Sequence, residues 1–419
     1  MSNYLLRLKD GEVLHDLGAH LRLGGFEAVK KALKMQPADI IEEVKKSALR
    51  GRGGAGFPAG IKWGFVPKDS PKKKYLVVNA DEGEPGTFKD RYFLERDPFP
   101  LLEGAIIASY AIGANTCYIY IRGEFVKQIK IVENAIKQLY EKGYLGKDVM
   151  GSGYPLDIYV HPGAGAYVCG EETALLESIE GKPGRPRNRP PFPATVGLFG
   201  CPTVINNVET IACVPLVIKY GAEEFKKMGK EKDGGPKLYC ISGQVKRPGL
   251  YEAPMGTNLL KIINEFAGGT LDDKPIKGVI PGGTSTPVLL PEECDVDMDF
   301  DSLKVKGSML GSAAIIVFTE GTCPVKVLER ISAFYAHESC GQCTPCRSGT
   351  LWLERLVAQI EHGKGKKGDC ELLLDASANI MANTICALGD AAAMPVQSFV
   401  KKFRDDFEKH ISLSKCPYD

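Results

Sequence analysis

Apolar and polar positions change their rhythm in successive stretches along the chain. Up to about residue 50 the spacing is helical, with Ile40-Ile41-Glu42-Glu43-Val44 leading into Leu49. From 75 to about 234, short runs of β-forming residues alternate with longer helical stretches. This predicts strands at 75–80, 117–121 and 157–160, and helices at 94–112, 125–141 and 171–180. Strands separated by helices point to an α/β layer with a largely parallel sheet.

The pattern shifts near Lys237. Residues 238–245 and 249–252 read as strands on either side of a Pro248-Gly249 turn, 258–266 as a helix, and further strands end in 313–319. Together they predict a small mixed domain of about eighty residues. From Cys323 onward apolar residues recur at helical spacing, which predicts helices at 325–336, 349–360, 372–381 and 396–411. No internal repeat or low-complexity tail is visible.

Composition narrows the function classes. The chain has 419 residues, with 44% hydrophobic and 25% charged positions, the balance of a globular protein of several domains. Its formal net charge of +1 supplies no global field to attract nucleic acid. The longest uncharged stretch, 104–121, is interrupted by Gly113, Asn115 and Thr116, and reads as a helix followed by a strand. No membrane span is therefore expected. Thirteen cysteines, an odd number, with no secretory leader at Met1-Ser2-Asn3-Tyr4-Leu5, fit a reducing cytosol.

Three of those cysteines carry the most pointed signal. Cys340-Gly341-Gln342-Cys343-Thr344-Pro345-Cys346 is a C-x2-C-x2-C run, which lets one tight backbone stretch aim three thiolates at corners of one [4Fe–4S] cubane. Thr350 stands where a two-cluster ferredoxin run would place its fourth cysteine, so a single cluster is expected. Zinc also takes four-cysteine sites, but usually as two separated C-x2-C pairs. The residues alone do not choose the fourth ligand among Cys370, Cys386 and Cys416.

Glycine and proline cluster at 50–60, 163–170 and 181–193. Gly51-Arg52-Gly53-Gly54-Ala55-Gly56 satisfies G-x-G-x-x-G, yet it follows a helix rather than a strand, and no acidic residue closes a second strand about twenty positions on. It is not read as a standard dinucleotide fingerprint. Its glycines still allow backbone N–H groups close to an anion or a flat ring, with Arg52 beside them. Asn79-Ala80-Asp81-Glu82-Gly83-Glu84 lies at the C-terminal end of an expected strand, the edge where open α/β sheets bind ligands. His161–Thr173 is a second glycine-rich loop that opens a helix at Glu171 and Glu172. There the carboxylates can serve the helix N-terminus, and His161 is read as structural. Val204-Ile205-Asn206-Asn207-Val208-Glu209-Thr210 offers amides that both donate and accept.

Taken together, the segments 50–57, 79–90, 170–173, 204–210 and 338–349 resemble the NADH-binding flavoprotein subunit of respiratory complex I, in order and over nearly the whole chain. The resemblance implies non-covalent FMN, NADH as substrate and one [4Fe–4S] cluster. It implies an FMN site at Gly51, Arg52, Gly53, Lys62, Asn79, Asp81, Glu82, Tyr167, Gly170, Glu171, Glu172, Ile205, Asn206, Asn207 and Thr210. NADH is expected at Phe57, Lys62, Phe65, Glu84 and Phe192, and the cluster on Cys340, Cys343, Cys346 and Cys386. No side chain is expected to act on the hydride; Glu84 and Glu172 are the nearest carboxylates to it.

The implied organisation is a helical segment with the glycine loop at 1–65 and a Rossmann-like α/β domain for FMN and NADH at 66–235. A ubiquitin-like β-grasp (SLBB-like) domain follows at 236–321, then a helical bundle carrying the cluster at 322–419. The implied partners are a thioredoxin-like [2Fe–2S] subunit and a larger iron–sulfur subunit. Together they place the chain peripherally on the cytoplasmic face of the inner membrane and send electrons toward quinone. The alternative within this class is the diaphorase subunit of a soluble NAD(P)-linked hydrogenase or formate dehydrogenase. Such relatives often carry a further N- or C-terminal domain not seen here. A non-catalytic binding module and a zinc-stabilised scaffold are the readings from other classes.

Overall fold

The computed structural model describes residues 3–418. Three short helices, α1 (Leu17–Arg22), α2 (Glu27–Ala32) and α3 (Pro37–Lys46), precede the glycine loop, and α4 (Ala59–Gly64) follows it. The α/β layer then runs β1 (Tyr75–Ala80), α5 (Asp90–Glu95), α6 (Phe99–Ile112), β2 (Thr116–Ile121), α7 (Val126–Glu141) and β3 (Asp157–Pro162). It continues with α8 (Glu172–Ile179), β4 (Thr203–Asn207), α9 (Val208–Tyr220) and α10 (Ala222–Lys227).

The four strands form a parallel sheet in the order β3-β2-β1-β4. Both faces are covered, as parallel sheets require. Leu76, Val78 and Ala80 pack with α6 and α9 on one side, while Val77 and Ile205 join the apolar core that continues into α8 and the C-terminal helices. α6 is almost wholly buried and apolar apart from Glu103, which pairs with His20 at 2.7 Å, and Ser109, whereas α7 buries only the stripe Val132, Ala135, Ile136 and Leu139.

The small domain contains β5 (Pro236–Gly243), β6 (Gly249–Pro254), α11 (Leu259–Lys261), β7 (Ile276–Ile280), α12 (Phe300–Val305) and β8 (Ala314–Thr319). Its sheet order is β6-β5-β8-β7, with β5 and β8 parallel in the middle and an antiparallel strand on each edge. This is the mixed β-grasp arrangement, with its own core around Tyr239, Ile241, Leu259 and Val317. The chain ends in α13 (Pro324–Glu338), α14 (Thr344–Glu361), α15 (Asp369–Ile380), α16 (Leu388–Lys402) and α17 (Arg404–Leu413). Among the described residues no helix is long and apolar enough to cross a membrane.

Several boundaries differ from the sequence pattern for local reasons. The helix expected at 94–112 is two helices, because Pro98 interrupts the ladder between α5 and α6. The helix expected at 396–411 breaks at Phe403, and its first part begins eight residues earlier, accommodating Pro395 within α16. α14 begins at Thr344 rather than 349, so Cys346 stands on its first turn. Strand β4 was not among the predicted elements, since Thr203–Asn207 is short and runs directly into α9.

A buried ionic network ties the layers together. Lys89 reaches Asp90 at 2.7 Å and Glu209 at 2.9 Å, and Lys237 at the start of β5 reaches Glu209 at 2.7 Å. Arg52, also fully buried, binds Asp233 at 3.4 Å and donates to the Gly234 carbonyl at 2.7 Å. Burial alone would raise the Glu209 carboxyl, but Lys237, Lys89 and Arg52 outweigh it and hold it at about 2. Burial lowers Lys237 to about 8 against the pull of Glu209.

Replacing Glu209 by Gln strands these cations, so Glu209→Gln is expected to cost about 3–5 kcal/mol at neutral pH. The carboxylate's contribution is present above its ordinary value of 4.5 and is lost as pH falls toward about 2. Denaturant titrations of both proteins should therefore diverge above pH 4.5 and converge toward pH 2.

Candidate functional site

The chain visits β1, β2 and β3 on one side and then returns to place β4 on the other side of β1. The reversal lies between β1 and β4, and ligands of open α/β sheets sit in the crevice outside such a switch point. The facing strand ends carry Asn79 and Asn207, which are register partners. Four sequence-predicted segments converge here: the glycine loop, the acidic turn after β1, the Tyr167–Gly170 turn and the Asn206-Asn207 pair.

Their side chains divide into braces and open groups. Asn79 Nδ2 donates to the Gly170 carbonyl at 2.8 Å and its oxygen accepts the Asp81 amide at 3.1 Å, fastening β1 to the second glycine-rich loop. Trp63 Nε1 donates to Asn206 Oδ1 at 2.8 Å. Asn207 caps α9 by accepting the Glu209 amide at 2.9 Å, accepts Lys89 Nζ at 3.2 Å and donates to Asp90 at 2.6 Å. Thr210 accepts the Arg52 amide at 2.8 Å, and Ile205 is buried within β4. Glu82 is buried and accepts the Asp90 amide at 2.7 Å, so it serves the start of α5. The Arg52 guanidinium points away from the crevice toward Asp233 and the 234–236 backbone, leaving its Nε without a partner.

Asp81 stands apart. Its Oδ2 is buried with no hydrogen-bond partner, and burial raises the carboxyl to about 7 despite nearby Arg122. Gly170 lies against it, with a Cβ position 3.6 Å from that oxygen, at ordinary contact distance. Gly53 likewise approaches Asn207 so closely that a Cβ would lie 3.0 Å from that side chain. Such a floor of glycines with one unpartnered buried acceptor fits a flat heterocycle bearing N–H donors.

The rim is more open. Lys62 pairs with Glu172 at 2.8 Å, and Glu172 pairs with Arg189 at 2.9 Å. Glu171 caps α8 through the amides of Thr173 and Ala174 and also holds Arg189. Phe57, Phe65 and Phe192 are 47%, 55% and 57% exposed, and the first two rings are 6.1 Å apart. Exposed aromatics the core does not use suit stacking on a base. Glu84 accepts from Tyr167 Oη at 2.6 Å and from the Ser285 amide at 2.8 Å, and burial raises its carboxyl. It thereby ties the acidic turn to the small domain.

Cys340 and Cys343 lie on the α13–α14 loop, Cys346 begins α14, and Cys386 precedes α16; all four border one apolar core. Cys340 and Cys346 both act on the Cys386 thiol, which burial pushes up to about 12. Their sulfurs are not gathered at single-ion spacing, since the one set of His, Cys, Asp and Glu ligand atoms within 4.8 Å of one another among the described residues lies elsewhere.

The crevice and the cysteines touch through one turn. The Tyr167 amide donates to Glu338, the last residue of α13, at 3.1 Å, and the Tyr167 ring packs edge-on against Phe334 and Tyr335. Lys89, Glu209, Lys237, Trp63 and Glu338 were not singled out as site residues by the sequence pattern. Isolated lysines and glutamates carry no signal of burial, and only the closing of β1 on β4 brings them in.

Fold and site define a mononucleotide-binding α/β protein with an iron–sulfur motif built onto the same crevice. Family models match in the same order: the Nuo51 FMN-binding domain over 44–216, the SLBB domain over 237–317, and the NADH-ubiquinone oxidoreductase-F iron-sulfur binding region over 326–410. An F subunit of the NADH-quinone oxidoreductase of Rhizobium meliloti, the one numbered 2, is 54% identical over 415 residues, covering 99% of each chain. The corresponding F subunit of Rickettsia bellii is 53% identical, covering 96% of this chain and 97% of its own. That of Mycobacterium tuberculosis is 51% identical, covering 96% and 91%. The chain belongs to this family, the F subunits of NADH-quinone oxidoreductases. Among solved structures, an NAD+-reducing [NiFe]-hydrogenase in its air-oxidized state matches with a TM-score of 0.83 and 37% identity. The match covers 94% of this chain and 65% of the hydrogenase chain.

In the flavin-free chain, Asp81 keeps a proton that the unfolded state releases between its ordinary value of 3.8 and about 7, so stability falls as pH rises through that window. Asp81→Asn should be the more stable protein at pH 8, with the difference vanishing below about pH 4. Melting temperatures across that range check this.

Proposed function

We propose that the crevice holds FMN and that the chain is the electron-entry subunit of an NADH-quinone oxidoreductase. FMN bound there would supply a two-electron hydride acceptor for NADH, and a [4Fe–4S] cluster on the cysteines would supply a one-electron acceptor. The observation that carries the reading is the buried, unpartnered Asp81 Oδ2 at the β1–β4 switch point, joined by one turn to the helix that leads into the three-thiol loop.

In this reading the protein supplies position rather than acid–base chemistry. Gly51, Gly53 and Gly170 admit the ring and phosphate closely, and Asn79, Asn206, Asn207 and Thr210 hold the crevice walls. Asp81 would accept from the heterocycle, and Ile205 lies buried in β4 behind the crevice. Arg52 and Glu82 act on the walls, through the 234–236 backbone and α5. Lys62, Glu171 and Glu172 form a charged rim. Phe57, Phe65 and Phe192 stack the NADH base, while Glu84 fixes Tyr167 at the mouth. Cys340, Cys343, Cys346 and Cys386 hold the cluster. The partners that this reading implies are a thioredoxin-like [2Fe–2S] subunit and a larger iron–sulfur subunit, on the cytoplasmic face of the membrane.

A second reading, a hydrogenase-type diaphorase, is favoured by the fold match to the NAD+-reducing hydrogenase. Nucleotide preference separates the two. Visible spectra of the anaerobically purified chain should show flavin absorbance over a broad iron–sulfur band, bleached by stoichiometric NADH. Equal bleaching by NADPH favours the diaphorase. A protein without flavin or iron after reconstitution rejects both.

Cysteine variants test the fourth ligand. Cys386→Ser should lose the cluster spectrum and its iron while keeping flavin, whereas Cys370→Ser, in the buried face of α15, should keep both.

A further inference from the structure

The bundle holds a second set of metal-ligating side chains, remote from the iron–sulfur cysteines. Cys323, Glu361, His410 and Cys416 are all buried, and one ligand atom from each lies within 4.8 Å of the others. Cys323 Sγ is 3.2 Å from Glu361 Oε2 and 3.3 Å from His410 Nε2, and these last two atoms are 3.1 Å apart. We propose that these four residues bind one zinc ion that fastens the C-terminal tail to the bundle.

Four features support the assignment. First, the spacing is close to that of a tetrahedral site. Zinc bonds of 2.0–2.3 Å place ligand atoms about 3.4–3.8 Å apart, so a few tenths of an ångström of expansion admits the ion. Second, the imidazole is already oriented for it. His410 Nδ1 lies 2.6 Å from the Asp406 carbonyl, a contact that calls for an N–H there and fixes the ring with its Nε2 edge toward Glu361 and Cys323. Nε2 and Glu361 Oε2 lie 3.1 Å apart, so nitrogen and oxygen donors already converge beside the Cys323 sulfur. Third, the donors are two sulfurs, one nitrogen and one oxygen, all from the protein. A closed mixed set of this kind selects zinc over magnesium or calcium and leaves no open position for catalysis.

Fourth, the ligands come from four separate parts of the bundle that share one apolar core. Cys323 caps α13 just after the small domain, Glu361 ends α14, His410 lies on α17, and Cys416 is in the tail. The tail backbone fits tightly there, since a Cβ on Gly363 would lie 2.1 Å from the Ser414 carbonyl oxygen. Cys346 and Glu361 stand at opposite ends of α14, about 22 Å apart at the helical rise, so this site is separate from the cluster. Zinc has no redox chemistry, and its role here is structural.

Elemental analysis of the full chain, purified anaerobically with flavin and cluster in place, tests the proposal. One zinc per chain is expected beside the cluster iron. Zinc K-edge absorption of the wild type should show two sulfur and two nitrogen or oxygen neighbours. Cys416→Ser and His410→Gln should each lower zinc content at least fivefold while flavin and cluster iron stay at wild-type levels. If neither variant folds, the wild-type absorption spectrum decides alone. Wild type that neither contains zinc nor takes it up from added zinc chloride would overturn the proposal. So would a Cys323–Cys416 disulfide in mass spectra of the unreduced protein, or iron in place of zinc at this site.

Discussion

The structure depends on the neutralisation of charge where no water reaches. Lys89, Lys237 and Arg52 are all fully buried, and each alone would be expelled or neutralised. They persist because Glu209, Asp90 and Asp233 stand among them. These residues come from the glycine loop, the turn before α5, the first turn of α9 and the entry to the small domain. Satisfying the charges therefore fixes how those segments meet, and the crevice is the space they leave. Glu209 also sits at the N-terminus of α9, where the helix field favours an anion.

The same network explains why some site residues face inward rather than toward a ligand. Arg52 lies in a loop that resembles a phosphate cradle, yet its guanidinium is committed to Asp233 and two backbone carbonyls. It sets the path of the chain into β5. Glu82 is likewise committed to α5, and Glu84 to Tyr167 and Ser285. Of the three carboxylates clustered after β1, Asp81 keeps an unpartnered buried oxygen. A pattern of three acidic residues in four positions thus separates into two structural groups and one free acceptor.

Most of the architecture was legible in the chain because its signals are local. Alternating apolar runs and helical stretches gave the α/β layer, and the change near Lys237 marked the small mixed sheet. C-x2-C-x2-C declared the thiol loop. What the pattern missed is non-local. β4 is five residues long and carries asparagines at its end, so no run of β-formers announces it. Without β4 the switch point between Asn79 and Asn207 is invisible, and with it the reason these two side chains face each other. The same holds for Cys323, Glu361, His410 and Cys416, which are scattered over more than ninety positions and meet only when the bundle closes.

The two cysteine sets in the bundle show how packing, rather than residue type, assigns chemistry. At the α13–α14 loop, three thiols are presented by a tight turn and the first turn of a helix, with Gly341 in the left-handed region and Arg347 holding the Gly341 carbonyl at 3.0 Å. The helix that leads into this loop touches the β1–β4 crevice through Glu338 and Tyr167. At the far end of α14 the Cys323, Glu361 and His410 ligand atoms lie 3.1–3.3 Å apart with Cys416 within 4.8 Å, and no such link to the crevice exists among the described contacts. An electron carrier must lie close to its donor, while a structural ion need only lie where chain ends must be held. Helix α14 is long enough to separate the two tasks, one at each end.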